Sequence, residues 1–263
     1  MRTKLVVGNW KMSPTSREGA ALVEAFIKQV DYLWDVDIVV CPPYVAIPRV
    51  RELVKDTQVK LGAQDVFWED SGAFTGKVSA RMLSEFCCDY CIVGHSEARG
   101  RFGGYEPPIG TREYFSETDE TVNRKIKALL YYSISPILCV GETKPERSVG
   151  ETEKVVERQV RGALAGVDPS ELYTFVVAYE PVWAIGTGDT CDPGEAERVC
   201  AFIRGVVAGV ADQDLAESVR ILYGGSVKPE NARELFGQAN IDGGLVGGAS
   251  LDADGFARIV MSA

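Results

Sequence analysis

The chain has 263 residues, 46% of them hydrophobic and 25% charged, values that exclude a disordered or fibrous protein. Twenty-eight Lys and Arg against 38 Asp and Glu give a formal net charge of −10, which argues against general binding to nucleic acid or an anionic membrane, since both need basic patches. An anionic ligand would need positive potential concentrated locally, against the global sign.

No run approaches the ~18 apolar residues of a membrane span. Met1–Lys4 is basic, but the apolar stretch Leu5–Gly8 is too short for a secretory signal and reads as the first strand of a mature protein. Seven cysteines without framework spacing point to a reducing compartment, so the cytoplasm is the expected location.

In chain order, Lys4–Gly8 reads as a strand, and Arg17–Val30 as a helix with Ser16 as N-cap. Asp37–Cys41, Val59–Ala63 and Tyr90–Gly94 are strands; Glu117–Leu130 repeats apolar residues at helical spacing. Pro136–Val140 is a strand, Gly150–Leu164 a helix, Thr174–Tyr179 a strand and Pro193–Val210 a helix. Arg220–Tyr223 and Gly244–Val246 complete eight strands. Most runs are apolar on successive residues, the mark of a parallel sheet covered on both faces. Strand–helix alternation at this length predicts a single (β/α)8 barrel domain over residues 1–263, with a doubly wound open sheet as the alternative. No linker or composition break divides it. Residues 100–115, with Gly103-Gly104, Pro107-Pro108 and Gly110, read as a loop too long for an ordinary connection.

In a barrel, chemistry gathers at the C-terminal strand ends. Lys11 follows the first strand as an exposed cation able to hold a phosphate or an oxyanion, although a surface lysine is the simpler reading. His95, the one histidine, follows the fourth. A zinc site is not expected, since no second histidine is available, although cysteine could substitute. Glu180 follows the sixth strand, where desolvation would raise its pKa and strengthen it as a base. Pro181, Val182, Trp183, Ala184, Ile185, Gly186 and Thr187 have the composition of a lid, stiff at one end and hinged at the other. Gly224-Gly225-Ser226 and Gly247-Gly248-Ala249-Ser250 follow the last two strands, where backbone amides bind phosphate. No metal cluster or nucleotide fingerprint appears, so neither metal nor cofactor is expected. A base, an imidazole and an oxyanion stabiliser suit proton abstraction beside a carbonyl, and the phosphate cradle makes the substrate a small phosphorylated sugar.

Asn9-Trp10-Lys11-Met12, Gly94-His95-Ser96-Glu97, Ala178–Gly188, Tyr223-Gly224-Gly225-Ser226 and Leu245–Ser250 closely resemble the triosephosphate isomerase family, in order, from Leu5 to about Val260. That enzyme is itself a standard case of a glutamate base, a neutral histidine and a closing lid. The resemblance implies that Glu180 moves the proton between adjacent carbons. It implies that a neutral His95 polarises the carbonyl, kept neutral by a helix N-terminus at Ser96. Lys11 and Asn9 would hold enediolate and phosphate, and Glu97 lies in the same site. The amides of Gly186, Ser226, Gly247 and Gly248 would bind the phosphate. Ile185 and Leu245 would clamp over the glutamate, and lid closure would suppress loss of phosphate to give methylglyoxal. Phe74, Thr75 and Gly76 resemble the tip that enters a neighbouring subunit near Lys11 and Asn9, implying a homodimer.

Three features depart from the family pattern. Ala98 stands where arginine is usual, Lys77 where glutamate is usual, and the loop near 100–115 carries about a dozen extra residues. The extra loop is expected either to rebuild a subunit contact or to narrow the active-site mouth. Cys87, Cys88 and Cys91 read as packing rather than redox or metal groups, as does Cys139. Arg204 and Asp242 resemble a structural ion pair. Two other functions compete: the same chemistry on a tetrulose phosphate, and a non-catalytic paralogue that binds a phosphorylated metabolite.

Overall fold

Period-two alternation along short apolar runs sorts the strand residues into an inside and an outside. In the computed structural model, which describes residues 2–263, the strands are β1 (Lys4–Asn9), β2 (Val36–Cys41), β3 (Val59–Ala63), β4 (Tyr90–Val93), β5 (Ser135–Val140), β6 (Val176–Tyr179), β7 (Arg220–Tyr223) and β8 (Gly243–Val246). They pair in sequence order as a closed parallel barrel, sealed where Leu5 to Gly8 run beside Gly243 to Val246. The structure is thus the (β/α)8 barrel the alternation predicts, and the open sheet is excluded.

The helices are α1 (Ser16–Val30), α2 (Ile47–Val54), α3 (Ala80–Glu85), α4 (Asp119–Tyr131), α5 (Lys144–Ser148), α6 (Thr152–Ala163), α7 (Pro193–Val210), α8 (Gln213–Ser218), α9 (Ala232–Phe236) and α10 (Ala253–Val260). Leu5, Val7, Ile92, Ile137, Val176 and Leu222 belong to an inner core within the barrel. Val6, Val93, Val140, Val177 and Ile221 face outward into a larger core shared with the helices.

Three helix starts differ from expectation, the simplest being α6, which begins at Thr152 rather than Gly150. The N-cap of α1 is Thr15 rather than Ser16, because Glu18 three residues on completes a capping box with Thr15. Helix α4 starts at Asp119 rather than Glu117, since Thr118 caps it through Thr121. Glu117 is thereby free to accept the Gly94 amide at 3.0 Å and to pair with Lys125.

The segment between β4 and α4 is not wholly irregular: Ile109–Tyr114 forms a 3-10 helix entered from Pro108. Lys77, Ala98, Tyr114 and Phe115 line one cavity of about 680 Å³, so the three departures do share a neighbourhood. Arg204 donates to Asp242 at 2.8 Å, tying α7 to the residue before β8. Cys88, Cys91 and Cys139 are buried, and Cys87 is exposed. Burial pushes the Cys88 thiol up to about 12, which keeps it protonated and unreactive.

Candidate active site

Strand parity delivers the first two side chains. Residues 5 and 7 of β1 face the barrel interior, and the next inward position is Asn9, 5% exposed at the mouth. Residues 176 and 178 of β6 do the same, and Glu180 continues the series, 2% exposed. His95 arrives differently. Gly94 has φ +71°, a left-handed turn that ends β4 and swings the next residue over the mouth.

Lys11 is itself left-handed at φ +51°, a conformation that costs a non-glycine residue about 1–3 kcal/mol. Its amide donates to Asn9 Oδ1 at 3.1 Å, and Gln64 Nε2 donates to its carbonyl at 2.9 Å and to that of Cys41 at 2.8 Å. These bonds hold the turn, and Lys11 Nζ reaches Glu97 Oε1 at 2.5 Å.

Glu180 and His95 touch. The imidazole Nε2 lies 2.9 Å from Glu180 Oε1, and the Ser96 amide donates to Glu180 Oε2 at 2.9 Å. The Glu97 amide donates to His95 Nδ1 at 3.2 Å, so Nδ1 is an acceptor and the ring proton sits on Nε2. No helix begins at Ser96. The segment Ser96–Gly100 is an isolated turn, so the helix end expected to keep His95 neutral is absent, and the single Glu97 amide fixes the tautomer alone.

Burial pushes the Glu180 carboxyl up, but His95, the Ser96 amide and Lys11 outweigh it, so its pKa lies below the ordinary value. This overturns the expected rise: desolvation is present, yet the carboxylate is paired. For His95, burial opposes the imidazolium while Glu180 and then Glu97 favour it, and the pKa rises. Both shifts depend on contact between the two side chains. A ligand that separates them removes the main stabiliser of each charge and leaves the burial.

Asn9, Lys11, His95 and Glu180 line one cavity of about 310 Å³ with Gly186, Ser226, Gly247 and Gly248. Ile185 and Leu245 lie on the same wall. Gly186 lies on the loop after β6, Ser226 on the loop after β7, and Gly247 and Gly248 follow β8. Among the described residues no group of three or more His, Cys, Asp or Glu is placed to hold a metal.

The expected lid is rooted by a residue that sequence reasoning passed over. Glu142, fully buried after β5, accepts from Trp183 Nε1 at 2.8 Å and from Tyr179 Oη at 3.2 Å. Arg147 stacks over the Trp183 ring at 4.2 Å. Pro181, Val182 and Ala184 are buried, whereas Gly186 and Thr187 are exposed. Gln64, Ser96 as partner of Glu180, and Lys228 on the cavity wall were also missed. Glu142 had a usable signal, an acidic residue directly after an apolar strand; Gln64 had none.

The family model described as "Triosephosphate isomerase" matches residues 4–263. A triosephosphate isomerase of Roseiflexus sp. (strain RS-1) is 50% identical over 260 residues, covering 99% of this chain and 97% of its own. Those of Trichlorobacter lovleyi and Herpetosiphon aurantiacus are each 48% identical over 99% of this chain, and over 98% and 99% of their own. A barrel with these residues converging on one mouth, matched along its length at such identity, belongs to the triosephosphate isomerase family.

Proposed function

We propose that the chain interconverts dihydroxyacetone phosphate and D-glyceraldehyde 3-phosphate, with Glu180 as the base and His95 as the neutral acid. The observation that carries the assignment of roles is the tautomer: Nδ1 accepts the Glu97 amide, so Nε2–H faces the cavity and the Glu180 carboxylate. Glu180 takes a proton from carbon 1 of the ketose, and the electron pair moves to the carbonyl oxygen. His95 donates to that oxygen, stabilises the enediolate and transfers a proton between the two oxygens. Glu180 returns its proton to carbon 2. Lys11 and Asn9 stabilise the anionic oxygens, and Glu97 holds the Lys11 ammonium. The amides of Gly186, Ser226, Gly247 and Gly248 hold the phosphate.

Substrate must displace Glu180 from His95 and Ser96 to bring it over the carbon. That step exchanges a paired carboxylate for a desolvated one, which raises its basicity when it is needed. The relatives' names favour the triose reading over the tetrulose and non-catalytic ones. A coupled assay on triose and tetrulose phosphates side by side tests it. Turnover of the triose at least tenfold better is expected; equal turnover, or none, would overturn it. Glu180→Gln should lose about 10²–10⁴-fold in kcat while inhibitor affinity survives.

The assembly expected is a homodimer through Phe74, Thr75 and Gly76. Phe74 is 42% exposed at its loop tip, and Met12, beside Lys11, is 96% exposed. Apolar groups so exposed suit burial by a second copy. A cytoplasmic location suits seven free thiols. No helix among the described residues is long and apolar enough to cross a membrane.

A further inference from the structure

The extra segment after β4 ends up against the lid. It leaves the barrel at Arg101, whose guanidinium donates to Glu146 of α5 at 3.1 Å and to the Gly141 carbonyl on the loop after β5 at 3.1 Å. Phe102 then packs edge-on to Phe115 at 5.3 Å and to Tyr105 at 5.1 Å, closing the segment on itself. Gly103 and Gly104 therefore follow a fixed anchor.

Neither glycine is in the left-handed region. Each lacks a side chain for another reason: the lid backbone occupies the space. A Cβ on Gly103 would fall 2.3 Å from the Ile185 carbonyl oxygen and 2.4 Å from that of Val182. A Cβ on Gly104 would fall 2.8 Å from the Gly186 oxygen. By contrast, a Cβ on Gly110 in the same segment would meet nothing within 4 Å.

A trans peptide points its C=O and N–H in opposite directions. With the Ile185 carbonyl against Gly103, the Gly186 N–H points away from the inserted segment, and Gly186 lies on the wall of the catalytic cavity. Gly186 has φ +69°, where glycine lets the preceding peptide flip at little cost. Something must hold the productive orientation.

We propose that Gly103-Gly104 is a positioning element for the lid's phosphate-binding amide, seating the Ile185–Gly186 peptide with its carbonyl outward and its N–H toward the phosphate. The proposal rests on the phosphorylated-sugar reading of the site. It gives the inserted segment a role at the active-site mouth, acting through the lid rather than on the reacting atoms.

The test compares Gly103→Ala with Gly110→Ala as the control. Three quantities are read: kcat/KM for glyceraldehyde 3-phosphate, kcat/KM for glyceraldehyde without phosphate, and the dissociation constant of inorganic phosphate. Gly103→Ala is expected to lower the first at least tenfold, to weaken phosphate at least tenfold and to leave the second unchanged. Amide hydrogen exchange over residues 182–187 should speed up, with the melting temperature unchanged. Gly110→Ala should match the wild type throughout. Equal losses on both substrates, or unchanged phosphate affinity and lid exchange in Gly103→Ala, would overturn the proposal. A wild type without turnover would instead sink the isomerase reading, leaving phosphate affinity and lid exchange to judge this one.

Discussion

At the scale of single residues, the pairing of Glu180 with His95 and Ser96 sets the acid–base behaviour of the free protein. A carboxyl held below its ordinary value stays ionised further into acid, so the Glu180 carboxyl of the free protein, followed by carbon NMR, should titrate below its ordinary value. His95→Gln removes the strongest of the lowering influences, and that titration should move to higher pH; an unmoved titration would detach Glu180 from His95. The sign for stability follows the same logic. Ionised Glu180 contributes stability above its unfolded value that is lost as pH falls through the folded one. Glu180→Gln should therefore flatten the fall in urea midpoint below pH 4.5. Ile185 lines the cavity wall with Leu245, where the proposed clamp would shield the base. Ile185→Ala is expected to lower kcat, by up to about a hundredfold, more than it raises KM. A change confined to KM would remove the clamp from the mechanism.

Among the elements, the proposed lid stands on a buried carboxylate. Glu142 is pushed up by burial, and the Trp183 and Tyr179 donors pull it back. Glu142→Ala would leave those two donors unpaired and should cost about 2–4 kcal/mol in urea unfolding. A cost under about 1 kcal/mol would mean that water replaces the carboxylate. The elements also set what the sequence can disclose. Glu180 was legible because it directly follows an apolar strand, which it extends by one inward step, whereas Asn9 was reached only through the family resemblance. The glycine pairs after β7 and β8 were legible by position in the barrel. Ser96 and Gln64 were not, because they act on partners 84 and 53 residues away through geometry that no local pattern encodes. The Thr15 cap was missed because Ser16 is an equally good cap by type, and only Glu18 decides between them. The inserted segment was legible as an insertion, but its contact with the lid depends on the fold bringing residue 103 beside 182 and 185.

For the whole molecule, a formal charge of −10 leaves an anionic substrate little general attraction. The cavity holds Lys11 and Lys228 as its cations, and Lys11 is already paired with Glu97. The proposed phosphate site accordingly relies on oriented main-chain amides at the glycine-rich ends of β7 and β8. Assembly belongs to this scale as well. Phe74→Asp at the exposed tip should weaken the dimer by about thirtyfold or more in sedimentation equilibrium; an unchanged association would place the interface elsewhere. The most direct measurement of the chemistry is turnover of dihydroxyacetone phosphate in heavy water, followed by NMR of the product. Proton transfer through Glu180 predicts glyceraldehyde 3-phosphate carrying solvent deuterium at carbon 2, and none from Glu180→Gln. Product formed by the wild type without solvent deuterium, or no product at all, would contradict it.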